Sequence, residues 1–174
     1  MSDLVLRGNA AVAAVAENLG FLMPVGELAA EAAIACARVV KVDWIGPDGT
    51  CGGVFVSLDQ GLAEALTGNL LGRMPGEAVT EDEIDGAVEE LANVISGNLL
   101  PTLYGTDHEF HLQSPYLLPP IDPGGRREAA LQFMEGQLVV ALETVPDNSR
   151  ILRRAVDAGQ EPRGPVGAGA PRSI

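Results

Sequence analysis

The stretch that most constrains this chain is Thr80–Leu103, TEDEIDGAVEELANVISGNLLPTL. Thr80 with Glu83 three residues on forms a capping box, which fixes where a helix starts. From there Ile84, Val88, Leu91, Ile95 and Leu99 recur at helical spacing. At about 100° per residue they fall within roughly 80° of one another, so one apolar stripe must face a core. Glu90 and Asn93 lie on the far side of the same wheel, about 60° apart, and Gly86 and Gly97 share that face. A Gly inside a helix costs about 1 kcal/mol relative to Ala, so two of them flanking a polar pair call for a reason. A carboxylate and a carboxamide without bulky neighbours form a face that another protein's surface can approach closely. On an outer helix face such residues are ordinarily just solvated, and the case for function rests on their context.

Around that helix the 174 residues suffice for one domain with a real core. Hydrophobic residues make up 47% and aromatics only 4%, so the core is built from Ala, Val, Leu and Ile. Residues 1–148 hold 22 acidic and 6 basic side chains, and residues 149–174 hold 2 and 5. A body this acidic repels phosphate backbones and anionic bilayers, which argues against nucleic acid or membrane as a partner. Cys36 and Cys51 are too far apart along the expected hairpin to bridge, and two strand-borne thiols fit a reducing cytoplasm. The Ala/Val run near the start is too short, and too soon interrupted by Glu17-Asn18, to read as a signal sequence.

Along the chain, Asn9 is placed to cap a first helix over residues 10–22. Residues 31–45 show partial alternation, with Ile34, Cys36, Arg38, Val40 and Val42 on one face. Gly46-Pro47-Asp48-Gly49 turns the chain back through Thr50–Ser57 as a hairpin. Leu58–Leu71 reads as a second helix and Gly72–Gly76 as the loop before Thr80. After the long helix come an extended HEFHLQSPYLLPP, a loop at Ile121–Arg127, and strands at Glu128–Met134 and Gln137–Thr144 around Glu135-Gly136. This order predicts an α+β domain, an antiparallel sheet with helices packed on one or both faces. The chain beyond 148 reads as a flexible Gly/Pro/Arg-containing tail, with one turn near Ile151–Val156. Leu62–Leu71 also aligns without gaps to Leu91–Leu100 with six identities in ten, but Gly61 and Glu64 stand where the second copy has Glu90 and Asn93. Asn69 and Asn98 fall toward the buried side of their wheels, which marks them as hydrogen-bonding core or helix-end residues.

The segment Glu90-Leu91-Ala92-Asn93-Val94-Ile95-Ser96-Gly97-Asn98, with Pro115 downstream, resembles the signature of the CheC/CheX family of chemotaxis phosphatases. That signature is Glu-x-x-Asn on a helix, usually with Asp or Ser four residues before the Glu, and a Pro twenty-three residues after the Asn. Here Gly86 holds the earlier position, with Asp85 one step out of register, and Pro115 comes twenty-two residues after Asn93. The resemblance runs from about residue 8 to 146 and implies a CheX-like fold, with residues 1–148 as the domain. It implies that Asn93 positions a water for attack on the phospho-aspartate of a CheY-like receiver domain, and that Glu90 pairs with the receiver's lysine. Gly86, Gly97 and Pro115 are then the candidate partner-binding residues. The chain needs no cofactor of its own, since Mg2+ comes with the receiver. The resemblance also implies a homodimer formed through the sheet, with the β-rich region 128–144 offering an edge.

No competing machinery is visible. Ser57, Ser96 and Ser114 lack a nucleophile-elbow context. His108 and His111, three apart on an extended segment, do not make a metal site, and the Gly-rich turns lack the Lys-Ser/Thr of a phosphate loop. A second reading stays open, a non-catalytic signalling module of the same fold that docks a receiver or oligomerises. A third leaves Glu90 and Asn93 as solvated bystanders on a structural domain.

Overall fold

The computed structural model describes residues 3–29, 35–47, 49–74, 76–120 and 126–145, with side chains from Leu6 onward. The expected tail from residue 149, its turn at Ile151–Val156 and Ile34 lie outside the described residues. The elements are α1 (Asp3–Gly20), β1 (Pro24–Glu27), β2 (Arg38–Ile45), β3 (Cys51–Leu58), α2 (Gln60–Leu70), α3 (Glu81–Tyr104), β4 (His111–Leu112), β5 (Tyr116–Leu118), β6 (Arg126–Phe133) and β7 (Gln137–Val145). The fold is α+β, as the sequence predicts. The sheet is antiparallel in the order β1-β6-β7-β3-β2, with β4 and β5 both paired along the outer edge of β2.

The β2–β3 hairpin forms at the expected turn. Gly46 donates to the Thr50 carbonyl at 2.7 Å, and Gly49 takes a φ of +81° that few other residues adopt. Strand β3 is buried along its whole length between β2 and β7. In this register Val40, Val42 and Trp44 lie on the same face as Val54, Val56 and Leu58, and as Val140 and Leu142 of β7. All three helices contribute to the core on that face, where Ile84, Val88, Leu91, Ile95 and Leu99 are each no more than 1% exposed. The predicted stripe is therefore the centre of the core. The opposite sheet face is buried too, at Val39, Cys51, Phe55, Val139 and Ala141. There the Lys41 stem lies across β3 and its ammonium reaches Asp43 at 3.0 Å and Glu143 at 3.4 Å. A Cβ at Gly53 would collide with that stem.

Several local expectations need correcting. The first helix starts at Asp3, and Asn9 sits inside it, 5% exposed, with its Oδ1 accepting the Ala130 N–H at 2.9 Å. That N–H is left over where β1 ends, since the Ala130 carbonyl takes Leu28 N as the last bond of that edge. Strand β2 begins at Arg38, so Cys36 precedes it and only Cys51 is strand-borne, its thiol donating to the Val145 carbonyl at 3.3 Å. Strand β1 has no counterpart in the sequence reading, because its PVGE is mostly exposed and shows no alternation. The extended segment 108–120 divides into β4 and β5. Strands β6 and β7 are internal, flanked by β1 and β3, so the region 128–144 is not the sheet edge that dimer formation was expected to use.

Helix α3 is fixed at its start by the expected capping box. Glu83 N donates to Thr80 Oγ1 at 3.3 Å, and Thr80 N donates to the Glu83 carboxylate at 2.8 Å. Arg73 adds an ion pair to Glu83 at 2.6 Å. Arg38 at the head of β2 pairs with Glu81 and with Asp85, the latter at 2.6 Å, and so joins the first helical turns to the sheet. Burial works against the Arg38 charge, but Asp85 and Glu81 outweigh it and hold the guanidinium pKa above its ordinary value.

Two outcomes follow. Asn9→Ala leaves the Ala130 N–H buried without an acceptor and lowers stability by about 1–3 kcal/mol, read as a lower urea midpoint at unchanged slope. The Thr80 backbone hydrogen bond is the first cause holding the Glu83 pKa below its ordinary 4.5, with the Thr80 hydroxyl and Arg73 adding to it. A depressed carboxylate stabilises the fold above its unfolded-state pKa, and that contribution disappears as pH falls through the folded value. Wild type therefore melts above Glu83→Gln near neutrality, and the gap closes as pH drops below 4.5 in a thermal melt series.

Candidate functional site

The stripe that docks α3 on the sheet turns Gly86, Glu90, Asn93 and Gly97 outward, and all four are exposed. A side chain at Gly86 would meet nothing within 4 Å, and one at Gly97 only a Leu112 methyl at 3.9 Å. Among the described residues neither Glu90 nor Asn93 has a hydrogen bond or ion pair, whereas other polar groups of α3 are engaged. Six carboxylates lie in the first ten residues of α3, and the helix has no basic side chain. Glu81 and Asp85 serve Arg38 and Glu83 serves Arg73, which leaves Asp82, Glu89 and Glu90 uncommitted among the described residues, Glu90 being the one fully on the exposed face with Asn93. Asp85 is thus a structural residue facing β2, unavailable to the outer face. A carboxamide there can accept from a water through its oxygen and donate through its nitrogen, and the carboxylate one turn away suits a cation.

Pro115 lies off this helix, in the break between β4 and β5. Three residues, Gln113 to Pro115, separate Leu112 from Tyr116, where only Val42 and Asp43 separate their partners Trp44 and Lys41. This bulge keeps one backbone bond, Gln113 N to the Asp43 carbonyl at 2.8 Å, and Pro115 has no N–H to add. Helix α3 packs against both short strands, so the proline flanks the element that carries the pair.

Helix α2 explains the internal echo. Its buried residues Leu62, Ala63, Leu66 and Thr67 occupy the same aligned positions as Leu91, Ala92, Ile95 and Ser96. Even the hydroxyl bonds repeat, Thr67 to the Ala63 carbonyl and Ser96 to the Ala92 carbonyl, both at 2.7 Å. The outer faces differ for a steric reason. A Cβ at Gly61 would run into the Glu135 backbone carbonyl of the β6–β7 turn, so no glutamate fits at the position equivalent to Glu90. Asn69 and Asn98 are exposed, contrary to the wheel. Asn69 donates to the Gly20 carbonyl at the end of α1 at 2.7 Å, a helix-end role, and Asn98 turns back to the Val94 carbonyl at 2.8 Å.

Three cavities border these elements. One of about 580 Å³ runs along α2 and the loop to α3, one of about 270 Å³ lies between α1 and α3, and one of about 160 Å³ adjoins the Trp44–Tyr104–Phe110 cluster. That cluster, with all three ring centroids 5.7 Å apart, went unread in the sequence because its members come from β2, the end of α3 and the following loop. Neither Glu90 nor Asn93 lines any of the three, and both are exposed on the outer face of α3. Among the described residues no group of three or more His, Cys, Asp and Glu is placed to hold a metal, and His108 and His111 are both exposed. No helix of the described residues is long and apolar enough to cross a membrane.

The family model described as chemotaxis phosphatase CheX matches residues 44–120, which include the end of β2, β3, α2, α3 and Pro115. Comparison with curated proteins gave no match. Among solved structures, CheX of Vibrio vulnificus is 18% identical with a TM-score of 0.60 over 83% of this chain and 97% of its own. CheX of Desulfovibrio desulfuricans is 15% identical with a TM-score of 0.62, over 83% and 100%. CheX of Borrelia burgdorferi, solved as a CheX–CheY–BeF3–Mg2+ complex, is 15% identical with a TM-score of 0.60, over 82% and 97%. The sequence match over α3 and the architecture around it agree: residues 44–120 are similar to the CheX family model, and the chain has the fold of the CheX structures.

Proposed function

We propose that this chain is a phosphatase of two-component signalling that hydrolyses the phospho-aspartate of a CheY-like receiver domain, with Asn93 and Glu90 as its catalytic residues. The observation that carries the reading is the uncommitted Glu90/Asn93 pair on an exposed helix face bordered by Gly86 and Gly97. The Borrelia burgdorferi CheX complex with CheY supports the partner class. An acyl phosphate already has a good leaving group, so what a catalyst adds is a water held in line with the P–O bond. The Asn93 carboxamide oxygen accepts from that water while its nitrogen donates to the phosphoryl surroundings. The water oxygen forms the new P–O bond, and the bond to the aspartyl oxygen breaks with its electron pair left on the carboxylate. The released proton passes to phosphate or solvent. Glu90 pairs with the receiver's lysine and sets the helix in register. Mg2+ belongs to the receiver, so this chain contributes no metal ligand.

Gly86, Gly97 and Pro115 let the partner approach closely, residues 1–148 act as one domain followed by a tail, and the protein works in the cytoplasm. With a phosphorylated CheY-like receiver and Mg2+, Asn93→Ala lowers kcat by about 10²-fold or more while KM changes little, and Glu90→Ala raises KM as well as lowering kcat. Gly86, where the family signature has Asp or Ser, favours a second reading, a docking module of the same fold. In that case the receiver binds, its phosphate is lost at the uncatalysed rate, and Asn93→Ala is silent.

Self-association is also proposed, now through β1. This edge strand pairs only with β6 among the described residues and exposes Met23 and Val25 beside Phe21 and Met134, which is 85% exposed. Met23→Glu shifts sedimentation equilibrium to monomer while the melting temperature at low concentration stays within a few degrees; a wild type that sediments as monomer excludes the dimer.

A further inference from the structure

Pro101 lies within α3 and has no N–H, so the carbonyl of Gly97, four residues earlier, lacks its helical donor. Its neighbours are well supplied. The Ala92 carbonyl accepts the Ser96 hydroxyl at 2.7 Å, Val94 accepts Asn98 Nδ2 at 2.8 Å, Asn98 accepts the Thr102 hydroxyl at 2.8 Å, and Pro101 accepts Gly105 N at 2.9 Å. Gly97 is exposed, and nothing but one Leu112 methyl stands near the place a side chain would fill. On the wheel it lies about 40° from Asn93 and about 20° from Glu90, about 6 Å further along the axis than Asn93. The proline ring crowds the carbonyl of residue i−4, which tilts it out toward solvent. A backbone acceptor without a helical donor thus sits on the same face as the catalytic pair, one turn beyond it.

We infer that the Gly97 carbonyl is a third polar contact for the docked partner, accepting an N–H or O–H from the receiver surface at the margin of its phosphoryl pocket. The inference rests on the receiver-docking reading of this face. A carbonyl oxygen repels phosphate and selects a donor, so it marks where the receiver's protein surface, rather than its phosphoryl group, meets α3. Glu90, Asn93 and the Gly97 carbonyl then span eight residues, about 10 Å of helix, and read a cation, a water and a neutral donor in turn. Pro101 acts only through Gly97, as a positioning residue. Glycine at 97 keeps the face beside the carbonyl low, since a side chain there would project from it toward the Asn93 turn, where the partner docks.

The test is Pro101→Ala in the full chain, which restores an N–H that closes on Gly97. The expected result is a melting temperature higher than wild type together with a Kd and KM for a phosphorylated CheY-like receiver raised about three- to tenfold at unchanged kcat, the worth of one hydrogen bond. Gly97→Ala, which keeps the proline but adds a methyl on the face, weakens binding in the same assay without loss of stability. A more stable Pro101→Ala that binds the receiver as tightly as wild type overturns the inference and leaves the phosphatase reading standing. So does a less stable one, which would make the proline a structural requirement. A wild type that binds none of several phosphorylated receivers overturns both.

Discussion

Packing of one stripe, Ile84 through Leu99, against the β2–β3–β7 sheet is the constraint on which the rest of this molecule depends. Because the stripe takes the full depth of the core, the far side of α3 has no freedom to rotate inward, and its polar pair is held at the surface. The ends of the helix are fixed by electrostatics rather than by packing. Thr80 and Glu83 close the first turn on itself, while Arg38 draws Glu81 and Asp85 to the sheet. That division of labour engages three of the six carboxylates at the helix start and leaves Glu90, with Asp82 and Glu89, uncommitted. The acidity of the helix start is thereby used twice, once to complement its dipole and once to anchor it.

What the sequence made legible was local. The capping box, the stripe and the Gly46–Gly49 turn each involve residues a few positions apart, so their spacing predicts the structure directly. The exposure of Glu90 and Asn93 followed from the stripe alone. What it hid was distant in the chain. Asn9 reads as a helix cap because it precedes an Ala/Val run, yet its partner is Ala130. Asp85 reads as a displaced signature residue, yet Arg38 explains it. Asn98 falls on the buried side of its wheel, but α1 crosses so as to leave an open groove there, and the amide stays in solvent. Edge strand β1 has neither alternation nor burial to reveal it.

The two related helices show how a fold can repeat its packing without repeating its chemistry. Both dock through the same four positions and both bend a hydroxyl back to the carbonyl four residues earlier. The β6–β7 turn closes over the start of α2, where Gly61 admits the Glu135 backbone, and Asp59 ties that start to Gln137 N at 2.9 Å. Helix α3 has no such cover. Which copy can present a carboxylate at the position of Glu90 is decided by a neighbouring turn, through sterics, and not by the helix itself.

The two ends of the sheet are unlike. At the β2 end, the bulge at Gln113–Pro115 breaks the outermost strand into pieces of two and three residues and removes an N–H from its ladder. At the other end β1 is a four-residue strand with its own irregularity between Pro24 and Gly26, and it carries an apolar fringe. The broken edge at β2 offers a neighbouring chain few backbone groups in register, which disfavours strand addition there. The proline that flanks α3 thus also makes that edge a poorer template for an added strand than an unbroken one.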